Sequence, residues 1–272
     1  MHKTHVTGDT GAQLRSLYAP QGGVGEIFSN KVTDYVASRP DYPAALFEAL
    51  RTNCQLRPGA VVADIGAGTG LLTQGLLEHG YTVTAIEPNA AMRAAADAAL
   101  GDTTGYSSAD GSAEHIPLPA ASIDLITAAQ AFHWFDIVAA RAAFLRVLKP
   151  HGKVALVWND RVLTDPLQVA LDGIFADFGG AKRGALAAHE ERADVPKFFG
   201  SSTPLELSWP HEHHLREAAL LSLVFSRSYM PARDSAQGQQ ASQQVLEVFQ
   251  RLATGGLIAV RYNTIAVIGR PQ

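Results

Sequence analysis

Residues 61–70 read VVADIGAGTG, an apolar run closed by an acidic residue and followed by glycines at every second position. The run describes a buried strand, and the glycines a tight loop leading into a helix. Glycine turns at helix starts commonly hold nucleotide phosphates. The dinucleotide pattern G-x-G-x-x-G calls for its third glycine at position 71, where this chain has Leu71. Asp64 adds negative charge just ahead of the loop. A second acid, Glu87, closes the next β-branched run, about twenty residues on, where a carboxylate can accept from ribose hydroxyls. These features suit a ligand that carries a ribose and positive charge but no phosphates.

Outward from the loop, two periods alternate. Residues 43–53 place Leu46, Phe47 and Leu50 on one helical face, and Arg57-Pro58-Gly59 then breaks the chain before the strand. Helical spacing resumes over 71–79, with Gly80 as a stop. Residues 81–86 read as a strand, and 89–100 as an alanine-rich helix capped by Asn89. Strands over 122–128 and 153–158 flank an amphipathic helix over 137–148. This alternation predicts an α/β, doubly wound, Rossmann-like and mostly parallel sheet with its ligands beyond the strands' carboxyl ends. After Trp158 the rhythm changes. Two or three helical patterns surround one strand-like piece, PLELSW, and residues 257–268 alternate as a strand that returns to the sheet. The reading is one domain with a late helical insertion.

The chain has 272 residues, 47% of them hydrophobic, which is ample for a buried core. A net charge of -4 and the absence of a dense Lys/Arg run argue against a nucleic-acid partner. Cys54 is the single cysteine, so no intramolecular disulfide framework exists and a reduced, cytoplasmic setting is expected. No apolar run reaches membrane-spanning length. The glycine-rich first residues, 1–27, read as a flexible arm.

A ribose-bearing, cationic, phosphate-free ligand describes S-adenosylmethionine, and here a resemblance enters. Residues 61–92 resemble motifs I and II of the class I S-adenosylmethionine-dependent methyltransferases. Residues 28–43, FSNKVTDYVASRPDYP, are similar to the N-terminal cap of a small-molecule branch that includes trans-aconitate methyltransferase-like proteins. Residues 111–126, GSAEHIPLPAASIDLI, resemble the adenine-contacting motif, and 128–136, AAQAFHWFD, that branch's motif after the fourth strand. The resemblance implies a methyltransferase domain over 28–272: a cap over 28–55, a cofactor-binding core over 56–160, then the insertion and final strands over 161–272, with an antiparallel last strand.

It also implies roles. Gly66, Ala67 and Gly68 let the backbone approach the ligand, Asp64 shapes the loop, and Glu87 with Pro88 clamps the ribose. Met92 packs on the adenine, while Gly111, Ser112 and Ala113 contact its edge; Ser112 stands where the family form has Asp, and Asp110 is a candidate substitute. Tyr35 and Arg39 from the cap, with Gln130, meet the amino-acid end. His133 is a candidate cofactor contact or general base, because imidazole titrates near neutrality. Trp134, Trp158 and Tyr229, with Arg227 beside the last, are candidates for the acceptor pocket. His211, His213 and His214 lack a spaced Cys or Asp partner and read as a solvated strand end, so no metal is expected.

The implied reaction is in-line methyl transfer to a small-molecule acceptor, with a carboxylate or hydroxyl favoured, by a monomer or homodimer. The Asn/Asp-Pro-Pro-Tyr motif of amino-methylating nucleic-acid enzymes is missing where AAQAFHWF stands, and Cys54 lies upstream of motif I. Two other readings remain open from residues alone: non-methylating chemistry on the same cofactor, and a non-enzymatic binding module.

Overall fold

The computed structural model describes residues 38–187 and 192–272, together with Ser16. The arm expected over 1–27 and the cap before Ser38 lie outside the described residues. Helix α1 (Ala44–Asn53) buries Leu46, Phe47 and Leu50, the predicted face. It leads to β1 (Val61–Ile65), α2 (Leu71–Glu78), β2 (Thr82–Ile86) and α3 (Ala90–Leu100). The Asn89 side chain caps α3 by accepting from the amides of Ala91 and Met92. Strands β3 (Tyr106–Ala109) and β4 (Ile123–Ala129) follow, then a short helical turn over Phe132–Trp134. Next come α4 (Ile137–Val147), capped by Asp136, and β5 (Leu148–Arg161). The remainder is α5 (Pro166–Phe178), α6 (Gly180–Ala187), α7 (Val195–Phe199), β6 (Leu205–Leu215), α8 (Glu217–Phe225), α9 (Ala236–Leu252) and β7 (Ile258–Gly269).

The seven strands form one sheet in the order β3-β2-β1-β4-β5-β7-β6. Strands β1 to β5 run parallel; β7 is antiparallel to both β5 and β6. The strand order reverses between β1 and β4, which opens a crevice at their carboxyl ends. One sheet face carries an aromatic-rich core in which Phe132, Phe144, Phe198 and Trp158 pack edge to face. The other buries α1 and α2. A third cluster joins α5, α8 and α9 to the first residues of β7.

Three expectations need correction. Strand β3 is absent from the sequence reading; its sequence, YSSA, is short and half-buried and carries no apolar alternation. The piece PLELSW belongs to a longer strand that continues through HEHH to Leu215, so two strands run antiparallel at this edge. Among the described residues the region between β5 and β7 holds five helices, not two or three. Helix α7, with five residues, is too short to show a helical period.

Candidate active site

The loop after β1 shows how its ligand class is set. Gly66 and Gly68 both take left-handed φ, 67° and 58°. A Cβ on Gly66 would stand 2.6 Å from that of Ala131, whereas one on Gly68 would meet nothing within 4 Å. Gly68 therefore faces open space with its backbone bare. Gly70 takes over the packing duty of the absent third glycine, since a Cβ there would lie 2.7 Å from Leu100 of α3. Four of the loop amides are already used. Those of Gly66 and Ala67 donate to the Ile86 carbonyl, that of Gly70 to the Ala67 carbonyl, and that of Gly68 to Glu87 Oε2 at 2.9 Å.

Glu87 is 9% exposed, and its Oε1 accepts from the Asn89 amide at 2.9 Å. Burial raises its pKa against the pull of those two amides. Arg93 reaches back to the Glu87 carbonyl and, at 3.5 Å, to Asp110. Asp64 is buried, with Oδ2 accepting from Thr73 and Oδ1 from Thr127, each at 2.7 Å. Burial outweighs these two donors and pushes its carboxyl up to about 6. Asp64, Gly66, Ala67 and Ala129 line a small cleft with Tyr42 and Thr69.

On the far side of β2, Met92 is buried on α3 and belongs to none of the three main apolar clusters. Pro88 follows Glu87 at the turn into that helix. Ser112 and His115 exchange backbone hydrogen bonds, which closes a small loop around buried Ala113. The Ser112 hydroxyl accepts from the His115 amide at 3.3 Å. Gly111 has no room for a Cβ, with Pro117 at 2.7 Å. The Asp110 side chain is 74% exposed and turned toward Arg93.

Gln130, at the end of β4, holds φ at 55°, a left-handed conformation that costs a non-glycine residue about 1–3 kcal/mol and often marks a ligand site. Its amide donates to the Val157 carbonyl, and its side chain reaches the Asn159 carbonyl at 3.4 Å. In the next turn the His133 ring tilts against Trp134 at 4.9 Å. Trp158 is 1% exposed, enclosed by Phe132 and overlaid by the Arg192 guanidinium at 5.4 Å, so it belongs to the core. Tyr229 stands edge-on to Phe175 at 5.6 Å. Arg39 is half-buried, and its charge acts on the Tyr262 phenol. Tyr35 lies outside the described residues.

The HEHH segment is solvated on one face only: Glu212 and His214 are exposed, His211 and His213 partly buried. His211 and His213 face inward opposite Tyr262 and Val260, and His211 bonds to Asp41 at 2.9 Å. Sequence reasoning also passed over Thr73 and Thr127, whose hydroxyls hold Asp64 in place. It missed Asn159 as well. That buried side chain accepts from Thr264 at 2.7 Å and donates to the Asp41 carbonyl at 3.3 Å, tying the cap to β5 and β7. A polar residue ending an otherwise apolar strand is the one local signal for it.

With this geometry in view, the chain's similarities are informative. A family model of the methyltransferase domain matches residues 63–156, the span that holds Asp64, Glu87 and Gln130. An uncharacterised methyltransferase of Mycobacterium tuberculosis is 33% identical over 243 residues, covering 88% of this chain and 93% of the relative. An uncharacterised methyltransferase-like protein of Schizosaccharomyces pombe is 35% identical over 142 residues, 52% of this chain and 54% of its own length. Among solved structures, a type II methyltransferase assignment from Anaeromyxobacter dehalogenans superposes with a TM-score of 0.60 at 25% identity, covering 86% of this chain and 99% of that one. The first of these relatives is matched along nearly its whole length, and the chain belongs to the class I S-adenosylmethionine-dependent methyltransferases.

Proposed function

We propose that the chain transfers a methyl group from S-adenosylmethionine to the carboxylate or hydroxyl oxygen of a small-molecule acceptor. The observation that carries the cofactor assignment is the Glu87 carboxylate bonded to the Gly68 amide. A phosphate would need that amide as a donor and would meet two buried acids; a ribose and a cationic centre meet acceptors instead.

In this reading the free lone pairs of Glu87 accept from the ribose hydroxyls. Pro88 and Met92 flank the adenine, and Gly111, Ser112 and Ala113 border its edge. Asp64 and Gln130 face the amino-acid end, to which the family resemblance also assigns Tyr35 and Arg39. When bound, S-adenosylmethionine supplies an electrophilic methyl group on a sulfonium. The chain's main contribution is then alignment of the acceptor oxygen with that methyl group, an effect that can reach about 7–11 kcal/mol. A carboxylate acceptor is already ionised at neutral pH and asks no proton transfer of the protein. A hydroxyl acceptor would assign the proton to His133. Trp134 and Tyr229 border the acceptor, and Trp158 supports the wall from within the core.

The test is turnover with methyl-labelled S-adenosylmethionine across a panel of carboxylic acids, phenols and alcohols. The expected result is label in one class of acceptor, with S-adenosylhomocysteine formed in equal amount. Consumption of the cofactor without S-adenosylhomocysteine would overturn methyl transfer in favour of other chemistry.

A further inference from the structure

Strands β5 and β7 run past the crevice, and at their far end Arg161 stands directly opposite Tyr262. Directly paired residues share a sheet face, so both side chains project toward α5. There Phe175 receives two guanidinium groups, with Arg161 Cζ at 5.7 Å and Arg227 Cζ at 5.8 Å from the ring centroid. Tyr229 meets the same ring edge-on. Two like charges at one buried ring repel, and although the Asp172 charge also acts on Arg161, among the described residues the nearby aspartates make their ion pairs with other groups. Asp160 holds Arg192, Asp165 holds Arg261 and Asp172 holds Arg183, each at 2.6 Å. Asp41 meets His211.

Two buried polar atoms at this place, Nη1 of Arg161 and the hydroxyl of Tyr262, a residue 3% exposed, have no hydrogen-bond partner among the described residues. A buried donor left unsatisfied costs about 1–3 kcal/mol, so both argue for a component that arrives with a ligand. The repulsion is felt at Arg161, where the Arg227 charge first, and burial second, lower the pKa. Burial keeps the Tyr262 phenol protonated, and so a donor, despite Arg227, Arg39 and Arg161 around it.

We infer that Arg161, Arg227 and Tyr262 form an anchor for an oxyanion, a carboxylate or a phosphate, carried by the methyl acceptor. The inference rests on the methyl-transfer reading above and narrows its substrate to anionic molecules. A guanidinium fork matches the paired oxygens of either group, and a phenol hydroxyl supplies one further donor. Gln130 contacts β5 at Asn159, and Arg161 lies two residues on, about 7 Å along the strand. The anchored group is therefore a handle, set apart from the oxygen that takes the methyl group.

The test uses the full chain saturated with S-adenosylhomocysteine and titrated with succinate, with inorganic phosphate, and with uncharged succinamide. Succinate or phosphate should bind and raise Tm, and succinamide should do neither; whichever anion binds names the oxyanion. Arg161→Gln should weaken that binding at least tenfold and Tyr262→Phe about threefold, while both keep S-adenosylhomocysteine affinity within twofold. Without anion, Arg161→Gln should melt at or above the wild-type temperature, because a repelled buried charge has gone. Normal S-adenosylhomocysteine binding with no anion binding, or with anion binding indifferent to both substitutions, would overturn the anchor and leave methyl transfer standing. Arg161-dependent anion binding without any S-adenosylhomocysteine binding would do the reverse, sustaining the anchor and removing the cofactor reading.

Discussion

At the carboxyl ends of β1 and β2 the groups flanking the cleft are carboxylates, Asp64 and Glu87. At the end of β5 and across β7 they are Arg161 and Tyr262, with Arg227 beside them and Arg39 in reach of the phenol. One half of the sheet thus concentrates buried negative charge and the other half-buried positive charge. Burial raises the pKa of Asp64 and of Glu87, while repulsion from Arg227 and burial lower that of Arg161. Each half is in electrostatic deficit for the ligand of opposite sign, a sulfonium-bearing donor on one side and an anionic acceptor on the other. In the proposed reading, a ligand of opposite sign would offset that cost in both places.

The sharpest way to break the comparison is through Asp64. Its carboxyl is raised from an ordinary value of 3.8 to about 6 in the folded chain. The folded state therefore holds the proton more tightly, and stability rises as the pH falls from about 6 to about 4. Asp64→Asn removes this dependence, so the unfolding free energies of wild type and variant should converge or diverge by roughly 3 kcal/mol between pH 7 and pH 4, with wild type gaining on acidification. Urea denaturation at the two pH values measures it. Parallel curves would mean that Asp64 carries no buried-charge penalty.

The next effect separates the halves by ligand. Glu87→Gln leaves shape intact but removes charge-assisted acceptors, each worth about 1.5–3 kcal/mol. Cofactor affinity should fall by about 10- to 100-fold by calorimetry, while Arg161→Gln leaves it nearly unchanged. Equal losses in both variants would erase the distinction between the two regions.

Smaller effects sharpen the acidic half alone. Gly68→Ala keeps open space around the new methyl group but forces a left-handed conformation, costing about 1–2 kcal/mol in unfolding free energy. Gly66→Ala adds the clash with Ala131 to the same strain and should cost more. Asn89→Ala removes the α3 cap that also holds the end of the Glu87 turn, a loss of about 1 kcal/mol. A far-ultraviolet melt of each variant ranks them, and a Gly68→Ala cost above that of Gly66→Ala would contradict the packing seen at Ala131.

The acidic half was legible in the sequence because its parts are contiguous. Strand, loop, acid and N-cap follow one another between Val61 and Asn89, and each has a local residue signal. The period-reading method fails where elements are short or polar, as in YSSA of β3 and VPKFF of α7. It fails differently at the basic half. Arg161 and Tyr262 are brought together by an antiparallel return about a hundred residues later, and nothing near either residue announces the pairing. Arg227 and Tyr229 were visible as candidates at a helix end, but Phe175, the ring that gathers them, was not. His214 is solvated as expected, but the partial burial of His211 and His213 comes from β7, and for His211 from Asp41 of the cap, both remote in sequence.

Calorimetric titration of the full chain with S-adenosylmethionine, S-adenosylhomocysteine and NAD tests the charge assignment of the glycine loop most directly. The account predicts micromolar binding of the two sulfur ligands, weakening below about pH 6 for the cation as Asp64 takes up its proton, and no binding of NAD. Binding of NAD with neither sulfur ligand would mean that the loop accepts phosphates after all, and would contradict it.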